Sequence, residues 1–189
     1  MMQAVFCGVV VSFMWVSSSA SCADVKPVID AKRSDAATAD FKFENVAPPS
    51  RSDAANRAKF TILNGRRDAN GGELDQLNDG RLPSLEDEPG ANFFFAAGSE
   101  GGRLLVDLGD AIEIQTINTY SWHPDTRGPQ VYKLYVADAA DQNFNPDGRR
   151  SRRGDPARAG WKFIAEVDTR PEEGEPGGQY AVSIAGTGG

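Results

Sequence analysis

Period-two alternation, repeated in short runs and punctuated by turn residues, restricts the fold of this chain more than any other feature of its sequence. From Val131 to Val136, Tyr132, Leu134 and Val136 point one way and Val131, Lys133 and Tyr135 the other. An extended backbone places successive side chains on opposite faces, so such a run reads as a strand with one buried face. Trp161–Val167 repeats the pattern, with Trp161, Phe163, Ala165 and Val167 on one face. Four more runs carry the β-branched and aromatic signal. They are Lys59–Leu63, ended by Asn64-Gly65; Arg103–Leu108, stopped by Gly109-Asp110; the stretch through Ile112, Ile114, Ile117 and Tyr120; and Gln179–Ile184. No segment has the spacing of an amphipathic helix. About seven or eight short antiparallel strands between Gly, Pro and Asp turns predict an all-β fold, a β-sandwich or jelly roll. Phe94, Leu105, Ile114, Ile117, Leu134 and Phe163 are expected to form one core between two sheets.

The 189 residues suit one domain with appendages. Residues 1–23 read as an export signal: Ala4–Val16 has the length of a signal-peptide apolar region, short of the roughly 20 residues a membrane span needs. Ser21-Cys22-Ala23 supplies small residues for cleavage, although no Lys or Arg precedes the apolar run. The reading makes the mature chain secreted, periplasmic or cell-surface, with no membrane span. A lipoprotein acylated at Cys22 is one alternative, and a buried or disordered N-terminal helix another. Cys7 and Cys22 are the only cysteines and both lie in this segment. The mature chain would therefore have no disulfide, no Cys-based zinc site and no thiol nucleophile. Residues 24–58, rich in Ala, Asp, Ser, Lys and Arg with Pro48-Pro49 inside, read as a mostly disordered linker, in which Phe41-Lys42-Phe43 is a candidate short strand. Residues 59–189 hold the folded domain. A net charge of −7 argues against nucleic acid or an anionic membrane as the main partner.

The loop Ser121–Gln130 gathers side chains that recognise ligands: Trp122, Asp125, Arg127, Gln130 and His123, the only histidine. Sugars present apolar C–H faces and rings of hydroxyls. Trp122 offers a flat surface for the first, Arg127 five fixed donors for the second, and neutral His123 one donor and one acceptor. Tyr120, Trp122, His123 and Arg127 are therefore the candidate ligand-binding residues. The competing reading puts Trp122 in the core and pairs Arg127 with Asp125. At Asn78-Asp79-Gly80 a strong turn aims the Asp79 carboxylate and nearby carbonyls together, an arrangement that suits Ca²⁺; an Asx-turn without metal explains the same residues. Asp141, Asn143, Asn145 and Asp147 imitate an EF-hand loop, but Pro146 and Arg152 stand where its Gly and its bidentate Glu belong. Arg149, Arg150, Arg152 and Arg153 form a basic cluster suited to an anionic polymer, or simply to a solvated insertion. No pair of carboxylates is singled out for glycoside hydrolysis, one histidine builds no multi-His site, and no Gly-x-Ser-x-Gly is present. A non-enzymatic protein is expected.

In order along the chain, LNDGRLPS, GGRLLVDLG, IEIQTINTYSW, RGPQVYKLYVAD and GWKFIAEVD form a set that resembles the F5/8 type C, or discoidin-like, domain, a galactose-binding-like jelly roll, over about residues 59–184. The resemblance implies a β-sandwich that binds ligands, often sugars, through loops at one end. It also implies a structural Ca²⁺ at the Asp-Gly turn: Asp79 matches the calcium-turn aspartate, and Ser84 lies near a common Ser or Thr ligand. One departure is that the family continues past the equivalent of Gln179–Ile184 with a closing strand. The sandwich is thus expected to lack its closing C-terminal strand and to present an unpaired edge at Gln179–Ile184 or its neighbour. The expected function is a secreted, non-catalytic module that recognises extracellular carbohydrate. The alternatives are a protein-interaction or adhesion module for a cell-surface protein, and an accessory part of a glycoside hydrolase.

Overall fold

The computed structural model describes residues 25–33, 42–98, 101–124, 127–145, 155–175 and 177–186. The proposed export signal with Cys7 and Cys22, Phe41, Asp125, and the cluster Arg149, Arg150, Arg152 and Arg153 lie outside these residues. Seven strands are described: β1 (Val28–Arg33), β2 (Lys59–Asn64), β3 (Arg103–Asp107), β4 (Thr116–Trp122), β5 (Val131–Val136), β6 (Lys162–Asp168) and β7 (Gly178–Ala185). The only helical elements among the described residues are 3₁₀ turns of three or four residues, and no helix there is long and apolar enough to cross a membrane. The fold is all-β and sandwich-like, with every described strand pair antiparallel.

The strands form one three-stranded sheet, ordered β1-β7-β4, and two two-stranded sheets, β2-β3 and β5-β6. The strand β7 is central, hydrogen-bonded to β1 on one side and β4 on the other. Gln179–Ile184 is therefore paired on both sides, because the stretch read as linker supplies a strand, Val28–Arg33, and of the two places expected for an open edge its neighbour remains. Its short, mixed sequence VIDAKR gives little strand signal by itself, and its partner lies at the far end of the chain.

Antiparallel partners share a face, so the register assigns the two faces of this sheet. On one face Val182 and Ile184 are fully buried and pack with Ile164, Ala165 and Val167 of β6, flanked by Tyr132, Leu134 and Val136 of β5. That cluster is the interface between sheets. Of the six residues expected there, Leu134 packs against it and Ile117 is the half-buried cross-strand partner of Ile184. Phe163 does not: it is 37% exposed and meets Tyr135 edge-on, ring centroids 5.6 Å apart. The reason is a bulge. The pairing runs Leu134↔Ala165 and then Tyr135↔Phe163, leaving Ile164 as the extra residue. One additional residue reverses the alternation beyond it, so Ile164 turns inward and Phe163 outward. Phe94, Leu105 and Ile114 are half-buried elsewhere.

Beyond the end of β6, Arg170 hydrogen-bonds the Asp168 carboxylate and holds its pKa down at about 2. A depressed carboxylate contributes stability that is complete above its unfolded value of about 3.9 and disappears as pH falls through the folded value. Both groups are exposed, so the effect is screened and small. Asp168→Asn is expected to melt slightly below the parent at neutral pH, the gap closing between about pH 4 and pH 2. Thermal melts across that range check this.

Candidate functional site

The opposite face of the three-stranded sheet is polar, and the loops beyond one end of β4 form the candidate site. Trp122 ends β4 and His123 follows it, and the two residues are 3% and 4% exposed. The edge of β4 is completed by a side chain: Asn92 accepts from the Trp122 N–H at 3.0 Å and donates to the Trp122 carbonyl at 2.7 Å, as a neighbouring strand would. Asn92 also donates to the Glu88 carbonyl. The Ser121 hydroxyl donates to the Gly128 carbonyl at 2.6 Å. At Gly128 a side chain would strike the carbonyls of His123 and Gly178, at 2.5 and 2.6 Å, so the loop closes tightly only because that residue is glycine.

His123 is a buried tie between this loop and the acidic segment at 86–88. Its Nδ1 lies 2.6 Å from the Pro124 carbonyl; a carbonyl only accepts, so Nδ1 donates. Its Nε2 lies 2.9 Å from the exposed Asp87 carboxylate, off the line of a good hydrogen bond, so the two attract as charges only when the imidazole carries a second proton. The Phe94 ring meets the imidazole edge-on at 5.9 Å. Of the four candidate ligand residues, then, Trp122 and His123 have their side chains inside. Tyr120 is half-buried and its hydroxyl donates to the Ala47 carbonyl; burial raises its pKa, and a hydrogen bond with Asn118 works the other way. Arg127 is exposed.

The two candidate metal residues come together. Asp79 and Ser84 line one cleft of about 360 Å³ with Gln76, Arg81, Leu82, Glu88 and Ala91. Glu88 shapes its wall: one carboxylate oxygen, Oε2, accepts from the Ser84 N–H at 2.7 Å, the Ser84 hydroxyl at 3.3 Å and the Leu85 N–H at 3.3 Å. This segment, which composition marks only as a solvated acidic loop, links both candidate sets. Ser84 bonds Glu88, Asp87 pairs with His123, and Asn92 clasps Trp122.

The oxygens of Asp79 that were expected to face Ca²⁺ have protein partners in this fold. The Asp79 Oδ1 atom accepts from the Arg81 N–H at 2.8 Å, the contact of an Asx-turn. The Asp79 carbonyl accepts from Arg51 Nε at 2.6 Å, so a guanidinium sits where a cation would draw that oxygen. Among the described residues no three His, Cys, Asp or Glu side chains are grouped to hold a metal. Calcium takes six to eight oxygens, backbone carbonyls and waters among them.

Comparison with protein-family models, with curated proteins and with solved structures yields no match for this chain.

Proposed function

We propose that this chain is an exported, non-catalytic module that binds carbohydrate in the cleft between the Gln76–Ser84 turn and the Glu88–Ala91 segment. One observation carries the reading. A cleft of about 360 Å³ has an amide, a guanidinium, a hydroxyl and two carboxylates around apolar Leu82 and Ala91. Its size falls in the range of small-ligand sites, roughly 300–1,000 Å³. Sugar hydroxyls both donate and accept, which matches that mixed lining, while Leu82 and Ala91 suit a C–H face. The discoidin-like sequence resemblance supports the same reading, with ligand taken at one end of a β-sandwich. The expected result on a glycan array is binding by the parent and at least tenfold weaker binding by Arg81→Ala, about 1.4 kcal/mol, with an unchanged melting temperature. A blank array, or Arg81→Ala binding as the parent does, overturns the reading, and release of free sugar overturns its non-catalytic part.

A second reading, as a protein-interaction module, is favoured by the outer strand β1, where Val28 and Ile29 are each about half exposed. A sheet edge of this kind accepts a partner strand. Capture of a protein partner that is lost on Ile29→Lys, with no glycan bound, would select it.

A further inference from the structure

The polar face of the β1-β7-β4 sheet is built in three rows. The middle row is Asp30, Ala181 and Tyr120; the next is Lys32, Gln179 and Trp122; the one on the other side is Val28, Ser183 and Asn118. The segment after residue 41 crosses the middle row. At one edge the buried Asp30 carboxylate accepts from the Glu44 and Asn45 N–H groups at 2.6 and 2.7 Å. At the other edge Tyr120 donates to the Ala47 carbonyl and its ring lies 6.0 Å from that of Phe43. Between the two anchors in sequence, Val46 is 3% exposed. Lys32 and Glu44 pair at the solvent side, 2.8 Å apart.

The rows beside this strap hold buried polar atoms with no hydrogen-bond partner among the described residues. Gln179 is 1% exposed, yet neither its amide nitrogen nor its oxygen is hydrogen-bonded. Trp122 Nε1 and Asn118 Oδ1 are likewise buried without partners. Native proteins satisfy nearly all such groups, and exceptions ask for an unseen partner. Trp122 and Gln179 are register partners, so an indole N–H donor and a carboxamide that both donates and accepts stand side by side on one sheet.

We infer that this face, beneath residues 43–47, is a second ligand site for a neutral polyhydroxylated ligand such as an oligosaccharide, and that the strap is displaced when the ligand enters. The hydroxyls supply the donors and acceptors that Gln179, Trp122 and Asn118 lack, and the Trp122 ring supplies a flat apolar surface. The nearby charges, Asp30 and the Lys32–Glu44 pair, leave no surplus cation for an anionic polymer. The site shares no residue with the Arg81 cleft, so each stands or falls alone.

Displacement makes apparent affinity depend on the fraction of molecules with the strap open. The test uses calorimetric titration with cellohexaose and with maltohexaose, alongside Trp122 fluorescence in a Trp15→Phe, Trp161→Phe background, which leaves Trp122 as the one tryptophan. Val46→Ala loosens the strap: it should lower the melting temperature and yet bind at least threefold tighter. Gln179→Met removes the unpaired amide within a similar shape: it should raise the melting temperature and yet bind at least tenfold more weakly. Arg81→Ala should leave the Trp122 fluorescence response intact. Opposite signs of stability and affinity in both variants are what a merely structural strap would not produce. The inference is overturned if Gln179→Met lowers the melting temperature, if Val46→Ala binds no tighter, or if neither sugar changes Trp122 fluorescence. A response lost only in Arg81→Ala would overturn it while leaving the cleft reading in place.

Discussion

Replacing Ile184 by Ala is expected to cost about 2–5 kcal/mol of unfolding free energy, the range for large-to-small changes in packed cores. Ile184 is fully buried and sits on the central strand of the three-stranded sheet, against Ile164, Ala165 and Val167 of the facing sheet. Packing on β7 is held on both sides, by β1 and by β4, so little collapse into the cavity is available. The contrast is Phe163→Ala. This larger side chain is 37% exposed and makes one edge-on ring contact, so its removal should cost under about 1.5 kcal/mol. Urea melts of the two variants check the order. A larger loss at Phe163 than at Ile184 would mean that the bulge at Ile164 is misplaced and that the simple alternation holds.

Asn92→Ala should cost roughly 2–6 kcal/mol through a different mechanism: it strips partners from both buried backbone groups of Trp122 at once, at about 1–3 kcal/mol each. Asn92 is buried, and it alone meets both the N–H and the carbonyl of Trp122 from the side opposite β7. Asn92→Asp does not rescue, because an ionised carboxylate has no proton to give the carbonyl. The same variant frees the Glu88 carbonyl from its bond and loosens the wall of the Arg81 cleft. Glycan binding at the cleft should therefore fall along with stability, whereas Arg81→Ala lowers binding alone. Denaturant midpoints read beside array intensities separate the two; an Asn92→Ala variant as stable as the parent would show that water replaces the clasp.

The all-β class was legible in the alternation of Val131–Val136 and in the turn residues between runs. What alternation does not show is an extra residue. Nothing in Lys-Phe-Ile-Ala-Glu-Val-Asp marks Ile164 as a bulge, since that is decided by register with β5. Strand β1 was missed because its strongest partners are distant, and because its inward Asp30 looks like a solvent residue until the Glu44 and Asn45 amides are found on it. At the site, residue types suggested ligand contact for Trp122 and His123, and what they do not show is that both side chains are covered in this structure. Asp79 was singled out by the turn and Ser84 only by the family resemblance, and both line the cleft. Glu88 was not, because a carboxylate turned back onto Ser84 and Leu85 has the same sequence signal as a solvated one. Gln179 was equally silent, as its meaning lies in the row it shares with Trp122.

The central place of β7 bears on how the molecule reaches this state. Strands β1 and β4 never touch each other as partners; each waits for residues 178–185, which come last of the three in sequence. The pairing of Val28 with Ser183 closes nearly the whole described chain into one loop. Loop closure of that span must be met before the contacts reward it, so assembly of this sheet is governed by distant pairings and should be slow for a domain of this size. Until then β1 and β4 are open strands, and the pair β5-β6, whose partners are much closer in sequence than those of β1 and β7, is the natural first structure. Refolding followed at two probes, Trp161 near that pair and Trp122 on the late sheet, should resolve an early and a late phase.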